Sequence, residues 1–479
     1  MPPEPERIHE TWLSSDRRIP TRFIRPLVRF THVEAAGGIV LLGAAIAALG
    51  WANSPFGESY ERFWDNHLTI EIGAFHFNES LKEVVNDALM AVFFFVVGLE
   101  IKREIAVGDL RDPKRAALPA VAALGGMLIP ALIFTAFAAG TGGEAARGWG
   151  IPMATDIAFA VGVVSLLGRR VSVGAKLFLL ALAIADDIGA IAVIAIFYTS
   201  DLSFVWLGAA IAGLLLVSVA NRVGIRSMLF YGVAGVAVWF FVFESGVHAT
   251  LAGVALGFLT PALPLYSDES YIRRSRLIVG TYEMDAAAPR KRERIDASAL
   301  DLSFVARESV APLDRLERVL HPWSSFAIVP VFALANAGVR FTDMDTGELL
   351  TNPVTLGVAF GLVIGKLVGI TAATWIAVKT GIGKLPKRTG WTQIVGLALL
   401  AGIGFTVSLF ITELAYTAEL LTNSAKTGIF IGSGVAGIAG FLFLRSGSTP
   451  EAELEEGKAT MSMDDEAASA PVDTPAPAS

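Results

Sequence analysis

Long stretches almost free of charge alternate with short polar segments over most of this chain. An α-helix needs roughly 17–25 apolar residues to cross the hydrocarbon core. Runs of about that length predict twelve spans, near residues 33–52, 82–101, 116–139, 149–167, 174–199, 203–220, 226–243, 246–260, 323–338, 353–378, 391–414 and 425–444. The runs at 246–260 and 323–338 are short and rest on their neighbours. Between the first two spans the period changes: Leu68–Phe77, LTIEIGAFHF, alternates apolar and polar residues around Gly73, which predicts a short β-hairpin. The expected fold class is an all-α polytopic membrane protein with a small hairpin outside the membrane. The exposed edge of that hairpin either pairs with a second copy, giving a homodimer, or is a simple surface hairpin.

Charge sorts the connections into two kinds. Arg17, Arg18, Arg22, Arg25 and Arg29 lie in the N-terminal arm. Every second loop after it is basic: Lys102 to Arg115, then Arg169, Arg170 and Lys176, then Arg222 and Arg226, then 261–322, then Lys379 to Arg388. The intervening connections, such as Asn53–Ser80 and Phe341–Asn352, are acidic or nearly uncharged. Lys and Arg favour the cytoplasmic side. Both termini are therefore expected in the cytoplasm, which an even number of spans satisfies. This divides the chain into a basic cytoplasmic arm (1–32), a transmembrane domain (33–445) and an acidic, disordered cytoplasmic tail (446–479). Loop 261–322 carries ten Lys/Arg and ten Asp/Glu, with a basic cluster at Arg290–Arg294, and reads as a solvated insertion.

Composition narrows the class further. Of 479 residues, 53% are hydrophobic and 17% charged, against roughly 25% charged in soluble proteins. The absence of cysteine excludes disulfides, iron–sulfur clusters and thiolate metal sites. The basic, polar start shows no apolar core followed by a cleavage site, so no removable signal peptide is read. The net charge of −7 is spread over loops and tail, and no nucleic-acid partner is expected.

Against this background the intramembrane polar residues stand out. Asp186 and Asp187 sit in ALAIADDIGAI, midway along an otherwise apolar run from Leu177 to Tyr198. A carboxylate at that depth costs at least about 2.5–3.5 kcal/mol and marks a functional site by default. Thr155 and Asp156 follow Pro152 in GWGIPMATDIAFAVG, so this span is expected to be two half-helices with an unwound centre. Gly402 and Gly404 in AGIGFT interrupt a second span. The broken spans are the fourth and eleventh, each the middle member of a trio, and an offset of seven spans inverts one trio relative to the other. Half-helix ends carry about half a charge each, positive at N-termini and negative at C-termini. Asp156 and Lys366 are the candidates to compensate them. Lys366, in GLVIGK, also needs a counter-ion, and either aspartate of the pair can supply it. Successive helix positions point about 100° apart. One aspartate can therefore face Lys366 while the other faces a cavity. A desolvated carboxylate beside a like charge holds its proton more tightly. It then exchanges that proton near physiological pH for a small hard cation, and oxygen-only ligands suit Na⁺ or Li⁺.

These segments, together with NDALMAVFFFVVGLEIKRE, SGVHATLAGV and HPWSSFAIVPVFALANAGV, resemble the NhaA-type sodium/proton antiporters of bacterial inner membranes from about residue 30 to 445. The resemblance implies an electrogenic, pH-regulated transporter that extrudes Na⁺ (and Li⁺) against entering protons and needs no cofactor. It assigns Asp187 and Asp186 to cation and proton carriage, with Asp186 the partner of Lys366. Asp156 and Thr155 go to the polar crossing and Asp87 to the ion path. Glu100, Lys102, Arg103, Glu104, Glu317 and His321 fall in a cytoplasmic cluster tied to pH activation. His248 matches a histidine linked to pH response; spacing alone makes it a helix-end histidine. Two features depart from the family pattern: Leu367 stands where relatives commonly have proline after the lysine, and loop 261–322 is longer than usual. Two other classes use similar charges. A light-driven pump pairs an intramembrane lysine with aspartates but has seven spans. An intramembrane aspartyl protease would use Asp156 and Asp187 and would not need Lys366.

Overall fold

The computed structural model describes residues 36–72, 75–199, 202–225, 228–286, 292–341 and 346–447. The arm 1–32, almost all of the tail and the start of the Arg290–Arg294 cluster lie outside the described residues. Among those described, eight helices are long and apolar enough to cross a membrane, or ten if each sharply bent pair is one span. Two shorter apolar helices, Leu229–Glu244 and Thr250–Leu259, complete the apolar set.

Helix α1 (Ala36–Ala52) turns by 115° into α2 (Gly57–Trp64). The second of these is no continuation of the span: its polar face is exposed, while Tyr60 and Trp64 are buried. The Tyr60 hydroxyl donates to the carbonyls of Leu334 and Ala335, both at 2.9 Å, which staples this helix to the bundle. Strands β1 (His67–Ile72) and β2 (Phe75–Ser80) pair antiparallel, with Ile72 opposite Phe75. Ser80 and Glu83 then form a capping box, in which each side chain takes a backbone N–H of the other. It starts α3 (Leu81–Ala106) directly from the hairpin.

The bundle continues through α4 (Pro113–Ala138), a 3₁₀ stretch Gly143–Met153, α5 (Ile157–Leu167), α6 (Val173–Phe197) and α7 (Phe204–Val223). Next come α8 (Met228–Glu244) and α9 (Thr250–Leu259). At 1.5 Å per residue the ten residues of α9 rise only about 15 Å, half a hydrocarbon core.

The solvated insertion expected over residues 261–322 is helical. It forms α10 (Asp268–Ala286) and α11 (Arg292–Glu308), which pack on each other, and the start of α12 (Pro312–Asn336). The insertion is closed at its base: Leu265 N–H donates to Glu308 O at 2.9 Å and Leu313 N–H to Pro261 O at 3.2 Å. The spaced apolar residues Leu313, Leu316 and Leu320 extend the helical pattern before residue 323, so α12 starts well ahead of the predicted boundary and carries Glu317 and His321 with it.

The last part holds a short helix, α13 (Thr346–Thr351), then α14 (Pro353–Lys379), α15 (Trp391–Leu400), α16 (Phe405–Ala415) and α17 (Glu419–Gly447). Helix α14 lies against α4 at glycine–glycine contact. A Cβ on Gly125 would fall on the Gly369 carbonyl, so only bare backbone permits this approach. A π turn, Gly361–Gly365, directly precedes Lys366.

Candidate ion site at the crossing of two broken helices

The two interruptions expected around Asp156 and Gly402–Gly404 meet each other. The first consists of residues 154–156, between the 3₁₀ stretch and α5. The second is residues 401–404, across which α15 and α16 bend by 44°. Asp156 N–H donates to Ile403 O at 2.6 Å, so the unwound strands pair backbone to backbone. Unwound backbone is tolerable at this depth only when its polar groups find partners in the protein. A Cβ on Gly402 would collide with the Leu362 carbonyl, which is why glycine stands there.

Asp156 caps both half-helices that start at the crossing. Its Oδ1 accepts from Phe159 N–H at 3.1 Å, at the first turn of α5. Its Oδ2 accepts from Thr406 N–H at 3.1 Å and from Thr406 Oγ1 at 2.5 Å, at the first turn of α16. One buried carboxylate thus neutralises two positive helix ends.

The negative ends are met from the other side. Thr155 Oγ1 donates to the Ala401 carbonyl, where α15 ends, at 2.8 Å. Its oxygen in turn accepts from Lys366 Nζ at 3.0 Å. Lys366 Nζ also lies 2.6 Å from Asp186 Oδ2, with both side chains only 1% exposed. Asp187, the next residue on α6, is offset by about 100° round the helix and is 8% exposed against 0% for Asp186. The split within the aspartate pair is therefore a difference in partners as well as in direction. Asp186 is bound to an ammonium, whereas Asp187 is buried but less completely sealed.

A sequence model described as Na+/H+ antiporter 1 matches residues 28–444. The chain is 45% identical to a protein of Syntrophobacter fumaroxidans named Na(+)/H(+) antiporter NhaA, over 89% of this chain and 92% of that one. It is 44% identical to one of Syntrophotalea carbinolica named Na(+)/H(+) antiporter NhaA 2, over 89% and 98%. The chain belongs to this antiporter family. A solved sodium proton antiporter, MjNhaP1 of Methanocaldococcus jannaschii, overlays with a TM-score of 0.43 at 15% identity, covering 88% of this chain and 96% of that one.

Membership of the Na+/H+ antiporter 1 family makes this a multi-pass membrane transporter and not an enzyme, which removes the protease reading. The other expected residues fall into separate places. Arg103 Nη1 pairs with Glu317 Oε1 at 2.5 Å, joining α3 to α12, and the Arg103 side chain is 40% exposed. Glu100 and Glu104 lie on the same helix within a turn of Arg103, and His321 is exposed one turn beyond Glu317. His248 stands apart from this group. Its Nε2 is 2.6 Å from the Tyr198 carbonyl, so that nitrogen carries the proton and donates. It closes the C-terminus of α6, the helix of the aspartate pair. Asp87 sits in a π turn, Val85–Leu89, and its carbonyl accepts from Trp239 Nε1 at 3.0 Å.

Two features of the site are invisible as motifs. Thr406 appears in the sequence only as the end of AGIGFT, with nothing to show that its hydroxyl clamps Asp156. The reciprocal amide pair of Asn86 and Asn336 links α3 to α12 next to Asp87, with Asn336 Nδ2 donating to Asn86 Oδ1 at 2.7 Å. An asparagine beside an apolar run gives no hint of its partner 250 residues away.

Proposed function

We propose that the chain is an electrogenic antiporter that extrudes Na⁺ (and Li⁺) from the cytoplasm in exchange for entering protons, with activity regulated by pH. The reading is carried by one observation: the buried Lys366–Asp186 pair sits at the broken-helix crossing with a second, less completely buried aspartate, Asp187, beside it on the helix. Asp187 receives the cation, and Asp186 joins as second oxygen ligand when Lys366 withdraws. A buried ammonium that loses its counter-ion loses its proton, because burial disfavours the charged form. One entering sodium therefore displaces the proton of Asp187 and that of Lys366, more charge than it brings. Thr155 and Asp156 hold the crossing in place around this exchange, and Asp87 lines the approach. The groups titrate together, so apparent pKa values belong to the cluster.

In this reading Glu100, Arg103, Glu104, Glu317 and His321 form the cytoplasmic pH-responsive cluster, with His248 acting on the far end of α6. The chain lies in a bacterial inner membrane with both termini cytoplasmic, its two trios of spans forming inverted repeats. The hairpin β1–β2 lies outside the membrane and pairs with a second copy. Purified protein in liposomes with an imposed pH gradient is the test. Adding Na⁺ dissipates the gradient and K⁺ does not; no sodium response at pH 8–9 from folded protein overturns the reading.

A further inference from the structure

A second buried charge cluster lies at the hairpin end of the bundle, and the ion site does not use it. Glu413, on α16, faces two lysines: Lys426 of α17, with Nζ 2.7 Å from Oε1, and Lys82 of α3, with Nζ 2.6 Å from Oε2. The side chains are 13%, 5% and 30% exposed respectively. One lysine suffices to neutralise the carboxylate if the cluster serves only to hold helices together, so the second, partly exposed cation of Lys82 asks for another role.

The asymmetry of the two lysines resolves this. Lys426 is sealed in, and it belongs to the helix that follows α16 in the chain, so carboxylate and ammonium stay together whenever that part moves. Lys82 is on a different helix, two residues after the β-hairpin, and nearly a third of it already meets solvent. When Lys82 leaves, its ammonium is hydrated and Glu413 keeps Lys426. We propose that Glu413 holds one permanent and one detachable partner. Lys82 is then a positioning residue whose release from Glu413 accompanies opening of the hairpin end of the transporter.

The placement connects this latch to the crossing. Thr406 and Glu413 are both on α16, seven residues apart, about 10 Å along the axis. A shift of the Asp156–Thr406 clamp is therefore carried along a rigid half-helix to Glu413. Lys82 stands at the head of α3, whose next turn carries Asn86 and Asp87. The latch thus ties the half-helix held by Asp156 to the helix of Asp87. It rests on the proposed role of the crossing in transport, but its readout needs no exchange activity.

The chain has no cysteine, so one introduced thiol reports alone. Thr412 is fully buried beside Glu413 and serves as the reporter when changed to Cys. Maleimide modification of T412C is timed in detergent, alone and combined with Lys82→Gln, Lys82→Arg or Lys426→Gln, with thermal midpoints alongside. The expected result is that Lys82→Gln speeds modification by about fivefold, the population shift that goes with losing a partly exposed ion pair of about 1 kcal/mol. Its midpoint stays near that of T412C alone, Lys82→Arg restores the slow rate, and Lys426→Gln lowers the midpoint. Unchanged modification in Lys82→Gln overturns the proposal. So does a midpoint loss in Lys82→Gln equal to that of Lys426→Gln, since Lys82 would then be a structural partner like the other.

Discussion

Two buried ionic clusters share the half-helix α16, and they are opposites in balance. At the crossing one lysine, Lys366, stands among three aspartates: Asp156, Asp186 and Asp187. At the hairpin end one carboxylate, Glu413, stands between two lysines, Lys82 and Lys426. The first cluster has more carboxylates than ammonium groups, and in the proposed reading it takes up a cation. The second already sets two ammonium groups against the Glu413 carboxylate, and in the same reading it takes up none. Two clusters built from the same residue types, a few turns apart, thus have different fates. The deciding quantity is the local sum of charges, helix ends included, and not burial, which both have.

The comparison can be broken in four places, from the largest effect down. Asp187→Asn removes the carboxylate with no ammonium partner; sodium-dependent exchange in liposomes should vanish while the protein still inserts and elutes as a folded species. Near-normal exchange by that variant would move the cation to another group. Lys366→Gln leaves Asp186 as an unpaired buried anion, a loss of about 3–5 kcal/mol. It should lower the thermal midpoint and displace the pH profile, and an unaltered midpoint would mean that the ion pair contributes nothing. Thr406→Val deletes one hydrogen bond to a carboxylate while keeping the N–H bond, at a cost of about 1.5–3 kcal/mol. Its midpoint should fall less than that of Lys366→Gln, and a larger fall would make the clamp, not the ion pair, the keystone of the crossing. Arg103→Gln breaks a pair that is 40% exposed on the arginine side, worth about 1 kcal/mol or less. Its midpoint should hardly change, and an altered pH profile at constant midpoint would separate regulation from stability at this contact.

The hydrophobic pattern of the sequence determined that the chain is mostly apolar helix, with eight to ten membrane-capable helices among the described residues where it predicts twelve spans, because burial in hydrocarbon forces a helical period on any chain that crosses it. It also marked the two interruptions and the Asp186–Asp187 pair, since glycine, proline and carboxylates are costly in lipid and survive only where something compensates them. Pattern read residues 261–322 as a solvated insertion but missed its helices, since charged helices carry no membrane signature. The start of α12 was misplaced for the same reason. What only tertiary structure decided is which buried group meets which. That Asp186 and not Asp187 takes Lys366, which the residues alone leave open and only the family resemblance assigns, depends on the rotation of α6 about its axis, set by packing against α4. That Asp156 caps two helices at once, through Thr406, depends on two chain segments 250 residues apart crossing within hydrogen-bond reach. That Glu413 has two lysines depends on three helix ends converging. Charges in a low-dielectric interior interact only with what lies within a few ångströms, and that distance belongs to the fold.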